Sequence, residues 1–229
     1  MEDRDAFHQR PYTLPPGATE VVLVRHGASQ AAIEGVRFPV VDGRADPELS
    51  GTGLEQAHAL AGRLAPEAPR RIYVSTLRRT HQTARPLADA TGLEPTILPE
   101  LAEVFLGIFE AGEYRVRVAR EDPIIKRVFA EERWDAIPEA ESLDELGLRV
   151  RAGIERIVAE TGPDATAVAV AHGAVIGELC RQATESRPFA FVHADNGSIS
   201  RLVVQADGGW LLRSFNDIAH LTVPTGPAG

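Results

Sequence analysis

Residues 167–174 read AVAVAHGA: five small or β-branched apolar residues, then a histidine and a glycine. A short, unbroken apolar run of this kind is the mark of a strand covered on both faces. The run stops at His172, so an imidazole stands where the strand becomes a loop. Residues 21–29, VVLVRHGAS, repeat the arrangement: Val21 to Val24 run straight into Arg25 and His26. Open parallel sheets bind ligands outside the carboxyl ends of their strands, so both histidines fall where such a sheet places its chemistry.

Outward from these two strands, strand and helix patterns alternate. Leu54, Ala57, Leu60, Ala61 and Leu64 recur at helical spacing over 51–64, with Ser50 as N-cap. Ile72 to Val74 read as a strand, 77–90 as a helix, and Thr96 to Leu98 as a further short strand. Residues 99–112 carry turn chemistry and no period. Ser142 and Glu145 form a capping box at the head of a helix bearing Leu143, Leu146, Val150, Ile154 and Ile157. A helix follows the second histidine from Ala174 to about Ala183. Residues 198–205 and 210–215 flank Asp207-Gly208-Gly209 as a hairpin. This alternation predicts an α/β fold, a three-layer α/β/α sandwich around a mainly parallel sheet.

Residues 1–19 are polar and proline-bearing and read as a flexible arm, 20–221 as a single domain, and 222–229 as a flexible tail. Residues 104–135 read as a helical insertion capping the active edge. Its charged helices, over 113–135, are anchored by Val116, Val118, Ile124, Ile125, Val128 and Phe129 and divided at Asp122-Pro123.

The chain has 229 residues, 44% hydrophobic and 25% charged, enough for one well-buried core. A formal net charge of −9, with no run of Lys and Arg, argues against nucleic acid and anionic membrane as partners. No apolar stretch reaches membrane-spanning length, and the first residues lack the pattern of a signal peptide. The single cysteine, Cys180, sits in an apolar helical pattern and reads as an inert, packed thiol. These features fit a cytoplasmic protein; its oligomeric state, a homodimer included, stays open.

Histidines and arginines at strand-to-loop points suit a phosphate ester. Cleaving one requires charge neutralisation, an in-line nucleophile and a proton for the departing oxygen. Arg25 with His26, Arg78 with Arg79, Glu103 and His172 supply those groups in order along the chain.

The chain resembles the histidine phosphatase superfamily, the phosphoglycerate mutase-like proteins of branch 1. RHGAS (25–29), DPELSGTGLEQA (46–57), STLRRTHQTA (75–84), LAEVFLGIFEAG (101–112), VAHGA (170–174), NGSIS (196–200) and NDIAHL (216–221) match that family's segments in their order. The resemblance implies the phosphoglycerate mutase-like fold. It implies that His26 becomes a transient phosphohistidine, that Arg25 and Arg79 clamp the phosphoryl oxygens, and that His172 stabilises the transition state. Glu103 would be the acid that protonates the leaving group, with Glu100 and Glu110 as nearby competitors. Gly27 would let the backbone approach the phosphate, with Ser29 and Gly173 beside it. The chain departs from the pattern at Ala32, where the family often has Asn. In the unusual loop 33–46, Arg37 and Arg44 either contact an acidic substrate or face water, and Asp42 and Asp46 read as loop hydrogen-bonders.

These residues predict a metal-independent phosphomonoesterase acting on a small phosphorylated metabolite, with no cofactor. A cofactor-dependent phosphoglycerate mutase is the alternative. The apolar Val104-Phe105-Leu106 after Glu103, where mutases carry polar groups, favours the phosphatase. A non-catalytic phospholigand-binding protein is a third reading, and it would have no use for both a nucleophile and an acid.

Overall fold

The computed structural model describes residues 9–221. Its strands are β1 (Thr19–Arg25), β2 (Val40–Val41), β3 (Arg44–Ala45), β4 (Arg71–Val74), β5 (Thr96–Ile97), β6 (Ala165–Ala171), β7 (Ile199–Val204) and β8 (Trp210–Asp217). Its α-helices are α1 (Gly51–Leu64), α2 (Arg78–Thr91), α3 (Glu113–Ala119), α4 (Pro123–Glu131), α5 (Leu143–Thr161) and α6 (Gly173–Thr184). Six strands form one sheet in the order β5-β4-β6-β1-β7-β8. The first four run parallel, and β7 and β8 close one side antiparallel.

Strand periodicity builds the layers. In β6, Ala167, Ala169 and Ala171 face a core shared with α5, α6 and the 104–135 segment. Val168 and Val170 face the opposite core, against α1 and α2. β1 divides the same way, with Val21 and Leu23 on one face and Val22 and Val24 on the other. This is the three-layer sandwich anticipated from the sequence. In register, Val24 pairs with Val170 and Arg25 with Ala171, so His26 and His172 leave the sheet side by side.

The local signals hold at the helix starts. Ser50 accepts from Gly53 N at the head of α1, and Ser142 with Glu145 forms a complete capping box at α5. Asp122 accepts from Ile124 N and divides α3 from α4, with Pro123 in the first helical turn.

Some expectations need correction. The β2–β3 ribbon lies in the loop 33–46, where no strand was expected, and turns at Asp42-Gly43 with positive φ at both residues. Val118 and Phe129, expected as anchors of the insertion, are 43% and 37% exposed. Neither belongs to the core that Ile125 and Val128 enter. Of the arm expected over 1–19, residues 1–8 lie outside the described residues, as does the tail 222–229. Within the arm, residues 9–13 are exposed, whereas Gly17 N donates to Asp164 Oδ1 and Ala18 is buried. No helix among the described residues is long and apolar enough to cross a membrane.

Candidate active site

His26 is buried, and hydrogen bonds converge on it from four segments. Its N–H donates to Ala171 O at the end of β6. Its carbonyl accepts from Asn196 Nδ2 (3.0 Å). The next residue, Gly27, donates its N–H to Thr83 Oγ1 of α2 (3.0 Å), and Ala28 N donates to Gln56 Oε1 of α1 (2.8 Å). The loop after β1 is thus tied to both helices on one face of the sheet and to the closing segment on its far side.

Gly27 has a structural reason to be glycine besides the one expected. A Cβ there would lie 2.4 Å from Gly53 O, and a Cβ on Gly53 would lie 2.0 Å from Ala28 O. Two backbones cross in contact at that point, which only glycine at both positions permits. Gly27 therefore seats the nucleophile loop on the first turn of α1.

The ring of His26 is fixed at both nitrogens. Nδ1 donates to Gly27 O (2.7 Å), which leaves the lone pair on Nε2, and Nε2 accepts from Arg79 Nε (3.2 Å). Burial first, then the positive charges of Arg79 and Arg25, hold the His26 pKa well below the usual imidazole value. The ring is neutral with Nε2 unprotonated, the form a nucleophile needs.

His172, the N-cap of α6, packs its ring edge-on to that of His26 with centroids 5.1 Å apart. Its Nε2 meets Ser75 Oγ (2.8 Å), whereas Nδ1 is buried with no protein partner. Burial, with Arg79 and His26 beside it, lowers its pKa too. Arg25 donates to Ala194 O through Nη1, and its Nε is likewise buried and unpartnered. Gly173 lies under that guanidinium: a Cβ there would be 3.5 Å from Arg25 Nε. Arg79 Nη1 donates to Ala45 O (2.8 Å). Buried polar nitrogens rarely go unmatched, and two that do, on Arg25 and His172 beside Arg79 and a neutral imidazole, suit an oxyanion.

Glu103 lines the same cavity. Burial raises its pKa, with Arg79 and the Val104 N–H pulling the other way. Of its competitors, Glu110 spends both oxygens on backbone, accepting from Ala45 N (2.7 Å) and Leu106 N (2.9 Å). Glu100 does not line the cavity; it lies 3.9 Å from Arg156, near α5.

Two arginines expected at the substrate are elsewhere. Arg44 donates through Nε to the backbone oxygen of Glu103 (2.5 Å) and pairs with Glu141 (3.6 Å). Arg149 clasps the same Glu141 with two 2.8 Å bonds and holds the carbonyls of Glu100 and Ala102. Arg44 therefore props the acid's backbone. Arg37 is exposed, outside the cavity lining. Ser29 does not line the cavity directly; its Oγ accepts from Arg115 Nη2 (2.7 Å). Arg78 binds buried Asp46 (2.7 Å) and Glu48 (3.0 Å), so Asp46 is the loop hydrogen-bonder anticipated, and Arg78 is paired instead of merely solvated.

Arg115, on α3, is the lining residue for which the sequence carried no signal. It also donates to Gln30 O (2.8 Å), bringing a third guanidinium to the cavity beside the loop that carries Ala32. Thr83, Gln56, Ser75 and Asn196 lay within the matched segments, but no spacing rule gave them roles.

Among the described residues no group of three or more His, Cys, Asp or Glu could hold a metal ion. Cys180 is buried, its thiol pushed up to about 12.

The histidine phosphatase superfamily (branch 1) model matches residues 21–218. The chain belongs to that superfamily. A relative in Yersinia enterocolitica, named "probable phosphoglycerate mutase GpmB", is 32% identical over 90% of this chain and 96% of its own. The complex of mycobacterial glucosyl-3-phosphoglycerate phosphatase with inorganic phosphate aligns with a TM-score of 0.72 and 27% identity over 89% of this chain and 99% of that one. The alpha-ribazole phosphatase of Shigella flexneri aligns with a TM-score of 0.69 and 25% identity over 86% of this chain and 96% of that one. Family and neighbours together support a phosphatase enzyme of the phosphoglycerate mutase-like fold.

Proposed function

We propose that this protein is a metal-independent phosphomonoesterase that hydrolyses a small phosphorylated metabolite through a phosphohistidine on His26. The observation that carries the reading is the state of His26: neutral, with Nδ1 tied to Gly27 O and the Nε2 lone pair facing guanidinium.

In the first half-reaction Nε2 attacks phosphorus, an N–P bond forms and the ester P–O bond breaks. Arg79 Nε gives up its bond to Nε2 and takes a phosphoryl oxygen. The unmatched Arg25 Nε supplies a second contact. A Ser75 hydroxyl that donates to His172 Nε2 leaves the proton on Nδ1, a third donor for the same oxygens. Glu103, whose pKa burial raises, gives a proton to the departing oxygen. In the second half-reaction the carboxylate takes a proton from water as that water attacks phosphorus, and the N–P bond breaks. His26, Arg25, Arg79, His172 and Glu103 are the catalytic residues of this proposal, and Gly173 borders the phosphate site.

The mutase reading is favoured by the name of the Yersinia relatives. Against it stand Val104, Leu106 and Phe109, which line the cavity after Glu103 with apolar groups where a bisphosphorylated intermediate needs basic ones. A cytoplasmic location fits the single buried cysteine.

The test is a rapid-quench experiment with labelled p-nitrophenyl phosphate. Acid-labile label appears on His26, His26→Ala loses at least on the order of 10⁴-fold in kcat/KM, and chelator leaves the wild-type rate unchanged. Turnover that persists in folded His26→Ala refutes the reading.

A further inference from the structure

We infer that the cavity selects phosphate monoesters of an apolar, ring-bearing alcohol with no second anionic group, an inference that rests on the phosphomonoesterase reading. The cavity has a volume of about 420 Å³, room for a phosphate and one ring system. Its charge is divided unevenly. The guanidiniums of Arg25 and Arg79 sit beside His26, and that of Arg115, held by Ser29 and Gln30, lies where the phosphate end meets the Phe38 ring. The outer wall is built from Phe38, Phe109, Tyr114, Phe129 and Trp134, and all but Phe38 come from the 104–135 segment.

Three of these rings, Tyr114, Trp134 and Phe129, are linked through Phe189, which Trp134 meets with centroids 4.7 Å apart. Tyr114 meets Trp134 edge-on with centroids 6.3 Å apart. Phe129 stacks on His193 at 5.9 Å and meets Phe189 edge-on at 6.0 Å. His193 is the one imidazole of that outer wall among the described lining residues, and its face is covered by Phe129. The other ionic groups of the lining are carboxylates, Glu110 within reach of Arg79 and Asp195 within reach of Arg25. Glu110 is held by backbone N–H groups, and Asp195, at the exposed rim, is held by Asn216.

A leaving group in this space meets aromatic faces and two fixed negative charges. An apolar ring gains about 25 cal/mol for each Å² it removes from water. A carboxylate or second phosphate would lose its hydration among these rings, beside Glu110 and Asp195, where the lining guanidinium that reaches the wall, Arg115 over the Phe38 ring at 5.9 Å, is already engaged by Ser29 and Gln30. A glycerate phosphate, the substrate type in the Yersinia relatives' name, is therefore the wrong shape and the wrong charge for the outer half.

The experiment compares kcat/KM for 2-phenylethyl phosphate, glycerol 3-phosphate and 3-phosphoglycerate, with p-nitrophenyl phosphate as a control for turnover. The first three all release alkyl alcohols, so their differences report the fit of the leaving group more than the ease of breaking the bond. The expected order puts 2-phenylethyl phosphate at least about tenfold ahead of both others, the scale on which an apolar pocket discriminates. In Phe129→Ala, and in the milder Phe129→Leu should the first fail to fold, the ratio of 2-phenylethyl to glycerol phosphate falls at least about threefold. A 3-phosphoglycerate rate equal to or above that of 2-phenylethyl phosphate overturns the inference and leaves the phosphatase reading standing. So does a ratio that a folded Phe129 variant leaves unmoved. Failure of all four esters removes the phosphatase reading, and this inference with it.

Discussion

The floor of the cavity and its outer wall are built on opposite plans. The floor is a web of directional bonds: the backbone of His26 is held by β6 and Asn196, and the next two residues by Thr83 and Gln56. The wall is a set of aromatic faces from 104–135, with Phe129 over a third exposed. Directional bonds fix where an atom sits to a fraction of an ångström, whereas apolar faces accept a range of shapes. The floor therefore sets the reaction and the wall sets what is fed to it.

The sharpest break in that division comes from Glu103, where floor and wall join. Glu103→Gln lowers kcat on glycerol 3-phosphate by about 10²–10⁴-fold, the usual worth of a general acid, and costs an activated aryl phosphate far less. Equal losses on both esters would deny it the role of acid. The same variant is more heat-resistant above neutral pH. A carboxyl whose pKa is raised by folding stabilises fully below its unfolded value and loses that contribution as pH rises through the folded pKa. Above its folded pKa the group becomes a desolvated carboxylate, only partly offset by Arg79 and Arg25, which glutamine removes. Thermal midpoints at pH 5 and pH 8 check this: the advantage of glutamine is larger at pH 8.

Next comes the crossing of backbones under the floor. Gly53→Ala places a methyl 2.0 Å from Ala28 O, so the nucleophile loop must move off α1. The expected cost is about 1–3 kcal/mol of stability, measured by denaturant unfolding, with kcat reduced on every ester alike. A wild-type denaturation curve for this variant would show the contact to be loose.

The smallest effect sharpens the comparison. Arg115 sits on a wall helix but serves the floor. Arg115→Met raises KM for all phosphate esters about tenfold, as the loss of a charge-assisted contact of about 1.5 kcal/mol would. It leaves the preference between leaving groups unchanged. A change in preference without a change in KM would move Arg115 to the wall.

The same division explains what could be read from the sequence. The floor was legible because its residues lie at fixed offsets from strand ends: His26 and His172 follow β1 and β6 by one residue, and Arg79 lies in the first turn of α2. Their supports, Thr83 and Gln56, sat inside the matched segments, yet their partners are backbone N–H groups far off in the chain, which no local pattern reveals. The wall was not legible, because α3 and α4 bury little, so periodicity misassigned Val118 and Phe129 to a core they do not enter. Arg115 carried no local signal, and Arg44 stayed between substrate contact and solvent, because only tertiary structure brings them to Ser29 and to the Glu103 carbonyl. The β2–β3 ribbon has a local signal, Asp42-Gly43 between short apolar stretches, which suits a two-residue hairpin turn.

The side chains of Phe38, Phe109, Phe129 and Trp134 carry no hydrogen bond to the nucleophile loop. Descendants of this gene can exchange those rings one at a time and acquire new diets without dismantling the machinery beneath. A laboratory library confined to these four codons would explore the same freedom.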